Sequence, residues 1–263
     1  VKDAAMDKPL VLRETTDHIA ILTLNHPEKR NALSRAMLGS LKEHLNRLAA
    51  DKNVKVVVVR AAGPVFSSGH DLRELVDGDE RQYTAIFALC TEVMEAIRKL
   101  PQPVIAQVQG VATAAGCQLA ATCDLVVAAE GASFATPGVK IGLFCTTPAV
   151  ALCRAVTSKK ALEMLFTGNP ITACEAERAG LVNRVVPCER LEEETLKLAQ
   201  QISSASASIL ALGKRALYEQ LPLDRPEAYQ VAQRAMVENS KAPDAQEGMR
   251  AFLEKRLPRW QNA

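Results

Sequence analysis

Two strand-sized apolar runs, Val54 to Val59 and Val104 to Val108, are each followed at once by a turn of small residues. The first turn reads GPVFSSGHDL (63–72) and the second GVATAAGCQ (110–118). A buried strand, a small-residue turn and then a helix, repeated along a chain, point to an α/β core with a parallel sheet. The turns then fall at the carboxyl ends of the strands, where open α/β sheets bind ligands. Backbone N–H groups at such a turn and at the following helix start are free to face something electron-rich, such as a carbonyl gaining negative charge. On the residues alone, each turn by itself is no more than a turn.

Bulk properties narrow the function classes. The chain has 263 residues, 48% of them hydrophobic, enough for one large core with an appendage. Its 32 basic and 30 acidic residues leave a net charge of +2, which gives no electrostatic case for nucleic acid. No stretch approaches the ~20 uninterrupted apolar residues of a membrane span. Seven cysteines (90, 117, 123, 145, 153, 174, 188), an odd number without a C-x-x-C pair, fit a reduced intracellular setting. The four histidines (18, 26, 44, 70) lack the ligand spacing of structural zinc. No targeting peptide is visible, and a start at Val1 leaves an upstream segment open.

Along the chain, Leu10 to Arg13 and Ile19 to Leu24 read as a short strand pair. Ser34 caps a helix running to about Ala50, with Met37, Leu38, Leu41, Leu45 and Leu48 at helical spacing. A strand is expected from Val54 to Arg60, a helix from about Gln82 to Leu100, and a strand from Leu125 to Ala129. Thr172 to Glu175 is a capping box opening a short helix that Gly180 ends, before a strand from Asn183 to Val186. Helices follow at Leu191 to Ser203, Ile209 to Leu221, Pro226 to Ser240 and Pro243 to Lys255. The expected division is an α/β core over 1–195 and a helical oligomerisation region over 196–263.

Four motifs in order carry a resemblance that spans about Leu10 to Trp260: HPEKRNAL (26–33), FSSGHDL (66–72), GCQLAATCDLVVAAEGASF (116–134) and EMLFTGNPITACEAERAGLVNRVV (163–186). They are similar to those of the enoyl-CoA hydratase/isomerase, or crotonase, family, and to its mitochondrial members. The resemblance implies a spiral of ββα units with a C-terminal helical trimerisation region, in trimers or dimers of trimers. It implies acyl-CoA as ligand or substrate, no further cofactor, and a role in fatty-acid metabolism. By motif, the oxyanion-holding N–H groups fall at His70 and Ala115; the family usually has glycine at the second place. CoA contacts fall at Lys29 and Arg30, at Phe66, Ser67, Ser68 and Gly69, and at Phe252 and Lys255 near the C-terminus. Read without the resemblance, Lys29 and Arg30 are an exposed basic pair and Lys255 a solvated helix-end lysine.

The same comparison shows what is missing. The family's two proton-transferring glutamates fall at Gln118 and Gly138. An amide cannot transfer a proton at useful pH, and glycine has no side chain. General acid–base help is worth about 10²–10⁴-fold, so hydration is expected to be weak or absent. Residues available to take over are His70, Asp71, Glu74, Cys117, Thr136, Lys140 and Cys145, the last near a position where relatives place a polar side chain. Asp71 and Glu74 read first as helix-start carboxylates, and Asp124 as structural. Three classes stay open: an acyl-CoA binder; a decarboxylase, thioesterase or isomerase using the same two N–H groups; and a non-catalytic trimeric interaction protein.

Overall fold

A computed structural model describes residues 8–261; Val1, where the sequence leaves an upstream segment open, lies outside them. The first six elements are β1 (Val11–Thr16), β2 (Ile19–Leu24), α1 (Arg35–Ala49), β3 (Val56–Ala61), β4 (Val65–Ser67) and α2 (Glu80–Lys99). The second repeat is β5 (Val104–Val108), β6 (Val111–Thr113) and α3 (Ala115–Thr122), and the third opens with β7 (Leu125–Ala129) and β8 (Ser133–Ala135). Next come α4 (Thr146–Ala155), α5 (Ser158–Thr167), β9 (Ile171–Thr172), α6 (Ala173–Ala179) and β10 (Arg184–Val186). Four helices finish the chain: α7 (Leu191–Ser203), α8 (Ala207–Gln220), α9 (Arg225–Lys241) and α10 (Pro243–Leu253).

From β3 to β8 the strands alternate between two sheets. The first strand of each repeat joins a six-stranded sheet, β1-β2-β3-β5-β7-β10, parallel apart from the β1–β2 pair. The second joins a four-stranded sheet, β4-β6-β8-β9, parallel except for β8–β9. The three turns that open with β3, β5 and β7 each add one strand to both sheets, the ββα spiral that the resemblance implied.

Continuous apolar strands are needed because the larger sheet is covered on both faces. In β3, Val57 and Val59 enter the main core with Leu38, Leu41 and Phe66, while Val56 and Val58 face Leu198 and Ala199 of α7. That packing places α7 against the core, and the boundary expected near residue 195 falls inside this helix. Ser34 caps α1 by accepting from the Met37 N–H, and Thr172 with Glu175 completes the capping box of α6.

Three features differ from the sequence expectations. β4 and β6 lie in stretches read as turns and β8 had no expected counterpart, since three residues are too few to show an alternation. Helices α4 and α5 had no counterpart in the reading. The segment after the first turn is a short 3-10 turn, Leu72–Glu74, and α2 begins only at Glu80. Asp71 caps that 3-10 turn, but the Glu74 carboxylate accepts from the Arg35 N–H and so serves the N-terminus of α1. Among the described residues no helix is long and apolar enough to cross a membrane.

Candidate functional site

The two turns meet. Gly69, at φ +87°, sits so close to the second turn that a Cβ on it would lie 2.8 Å from the Ala114 Cβ and 3.1 Å from the Ala115 nitrogen. Gly116 is pressed in return against the first turn, where a Cβ would lie 2.4 Å from the Ser67 carbonyl oxygen. Neither position tolerates a side chain, and their glycines are what let the two backbones touch. This contact sets the N–H of His70 and the N–H of Ala115 on neighbouring segments. Ala115 is the first residue of α3, so a helix gives its N–H no internal partner. Neither N–H donates to another group among the described residues.

Backbone strain accompanies the contact. Ala114 caps α3 at φ 51° and ψ −120°, a region that costs a residue with a Cβ of order 1–3 kcal/mol. Its N–H is fastened to the Ala135 carbonyl at the end of β8, which holds the second turn on the small sheet. Such strain persists where the surroundings over-determine a conformation, as both neighbouring turns do here.

A third segment completes the cluster. The Ser68 N–H donates to the Arg30 carbonyl and the Leu33 N–H to the Gly69 carbonyl, so residues 30–33 lie along the first turn. The motif HPEKRNAL owes its shape to Asn31, which the sequence reading passed over. Asn31 is wholly buried in the left-handed region (φ 50°), accepts from the His26 N–H, and donates to the Ala62 and Val65 carbonyls. Ser67 donates its hydroxyl to the Asn31 carbonyl at 2.9 Å. Short polar side chains tolerate positive φ best, the one local signal for this hub. The Lys29 and Arg30 side chains stand exposed beside it.

Not every expected contact faces this place. Phe66 is fully buried in the main core and Ser67 spends its hydroxyl within the chain, so these two side chains build the scaffold and line no open path. Phe252, on the helix α10 that packs on α8 and α9, is 81% exposed, and Lys255 lies just beyond that helix at φ 55°. Lys140 is exposed and donates to Asn169. Asp124 is structural: its carboxylate accepts from the Val104 N–H, Lys214 and Tyr218.

The positions of Gln118 and Gly138 have distinct surroundings. Gln118, three residues into α3 from Ala115, is buried, and its Oε1 has no partner among the described residues. Gly138 donates its N–H to the Cys145 sulfur at 3.3 Å. A Cβ at 138 would lie 2.8 Å from that sulfur and 2.8 Å from the Leu143 carbonyl oxygen, so the site is closed to any side chain as it stands. Burial raises the thiols of Cys145 and Cys117, the latter to about 12, and both stay protonated at neutral pH. Crevices of about 930 Å³ between α2, α8 and α9 and about 660 Å³ between α8 and α9 lie elsewhere. None of their lining residues carries an orphaned buried polar atom, whereas His70, Gln118 and Thr136 all do.

Comparison with known proteins agrees with this geometry. The model of the enoyl-CoA hydratase/isomerase family matches residues 14–263. The chain is 56% identical to mouse (Mus musculus) enoyl-CoA hydratase domain-containing protein 3, mitochondrial, over 93% of its own length and 82% of the relative's. It is similar to the crystal structure of the human protein of that name, with a TM-score of 0.93 and 51% identity over 96% of this chain and 100% of that one. An enoyl-CoA hydratase structure from Mycobacterium smegmatis gives a TM-score of 0.94 and 47% identity over 96% of this chain and 99% of that one. On sequence, fold and the order of its turns, the chain belongs to the enoyl-CoA hydratase/isomerase family.

Proposed function

We propose that this protein binds acyl-CoA thioesters in mitochondrial fatty-acid metabolism and is not an effective enoyl-CoA hydratase. The observation that carries the reading is the mutual packing of Gly69–His70 and Thr113–Ala115. It supports two unspent N–H groups converging on one thioester oxygen, the arrangement that stabilises an enolate. The exposed Lys29 and Arg30 beside the first turn suit the phosphates of CoA. The family membership and the mitochondrial names of the relatives support the setting.

Hydration requires a group to deprotonate water and a group to protonate the α-carbon. Gln118 offers only an amide and Gly138 nothing, and the sulfur of Cys145 fills the space beside Gly138. Exposed apolar side chains on the C-terminal helices, among them Leu221, Tyr229, Met236 and Phe252, support assembly into trimers or dimers of trimers. Calorimetric titration with a panel of acyl-CoAs tests the binding. Saturable binding that weakens when Gly69→Val pushes the turns apart is expected; no binding by any acyl-CoA would remove the reading.

A further inference from the structure

We propose that the imidazole of His70 is the proton acceptor of this site, its Nε2 removing the α-proton of the bound acyl thioester. The inference rests on the thioester reading above and adds to it a group that can move a proton. Five buried side-chain nitrogen or oxygen atoms lack a partner among the described residues, and three of them, His70 Nε2, Gln118 Oε1 and Thr136 Oγ1, lie on the segments around the two turns. Leaving such an atom unpaired is costly, so several on adjoining segments mark a place completed by a ligand. Of the three, only an imidazole takes up a proton near neutral pH.

The ring is set for that task. Its Nδ1 lies 3.3 Å from the Leu33 carbonyl oxygen, which can only accept, so Nδ1 carries the hydrogen and Nε2 the lone pair. An edge contact with Phe87 of α2, centroids 5.5 Å apart at 89°, fixes the ring plane. Burial holds the imidazole below its ordinary value of 6.5, so it is uncharged at neutral pH and its lone pair is free. The charged group acting on it is Glu74, whose carboxylate is already engaged by the Arg35 N–H; the α2 and Leu33 neighbours are uncharged.

In the step, the Cα–H bond breaks and its proton forms an N–H bond on Nε2. The electron pair becomes the enolate double bond, and the thioester oxygen takes the negative charge facing the N–H groups of His70 and Ala115. Return of the proton to Cα restores the substrate. Return to the γ-carbon of a β,γ-unsaturated chain moves the double bond into conjugation. Nothing is oxidised or reduced and no co-reactant is needed.

The test incubates the full chain with 3-hexenoyl-CoA in D₂O, reading deuterium at Cα by mass spectrometry and binding by calorimetry. The protein should speed exchange well above buffer, with a rate that falls in acid as pH drops through the imidazole's depressed value. His70→Gln keeps the backbone N–H but cannot accept a proton; compared at saturating thioester, it should lose about 10²–10⁴-fold in exchange. Binding without exchange by the unaltered protein, or exchange by the variant at the unaltered rate, would overturn the role of His70 alone. An unaltered protein whose exchange stays flat through acid pH would overturn it too, even if the variant does not fold. Absence of binding overturns the thioester reading and this inference together.

Discussion

Gly116 has no room for a methyl group, because its Cα faces the Ser67 carbonyl across a gap that a Cβ would close to 2.4 Å. Gly116→Ala is therefore expected to destabilise by roughly 1–3 kcal/mol in denaturant unfolding, the usual range for overpacking. Gly39→Ala inside α1, where a Cβ meets nothing within 4 Å, should instead stabilise by up to about 1 kcal/mol. The same crowding argues against introducing the acid that the resemblance implies at residue 138. Gly138→Glu must displace both the Cys145 sulfur and the Leu143 carbonyl, so it should lower stability even when Gln118→Glu is tolerated. His70 gives a pH signature. Its folded value is depressed, so it contributes stability that is complete above pH 6.5 and is lost as pH falls through the folded value. Denaturation midpoints at neutral and acid pH should converge in His70→Gln relative to the unaltered protein. At this scale the sequence showed the two turns and the unusual Gln118 and Gly138. It did not show why Asn31 matters or that a sulfur backs Gly138, because both depend on contacts between segments distant in the chain.

At the scale of elements, long strands and helices were legible from apolar runs, caps and breakers, and the second sheet was not. A three-residue strand such as β6 exists because Val111 and Thr113 pair with Ser133 and Ala135, a fact about partners and not about local pattern. The join between the helical region and the core was equally hidden. Lys214 of α8 is nearly buried and donates to the Ile97 and Gln102 carbonyls and to Asp124, and Tyr218 donates to the other Asp124 oxygen. Asp124 in turn accepts from the Val104 N–H, so one carboxylate ties α8 to the start of β5. Lys214→Met should cost roughly 3 kcal/mol, since it strips a partly buried carboxylate of its counter-charge. Combined with Asp124→Asn, the loss should fall short of the sum of the two single changes in a double-mutant cycle.

For the whole molecule, motif order along the chain was the informative quantity. Four motifs anticipated a spiral whose successive turns bring residues 30–33, 66–70 and 113–118 together. The place where the helical region departs was less visible, because α7 belongs to the sheet through Leu198 and Ala199. The helices beyond it leave Leu221, Tyr229 and Met236 between 59 and 65% exposed, a surface that the proposed assembly of copies would cover. Leu221→Glu with Met236→Glu is expected to reduce the mass found by light scattering to that of one chain, with helical content unchanged. The central claim is that the thioester-holding turns survive without the proton chemistry of hydration. Mass spectrometry of the purified protein incubated with crotonyl-CoA tests it most directly. The account predicts retained crotonyl-CoA with 3-hydroxybutyryl-CoA no higher than in buffer, and substantial hydration by the unaltered protein would contradict it.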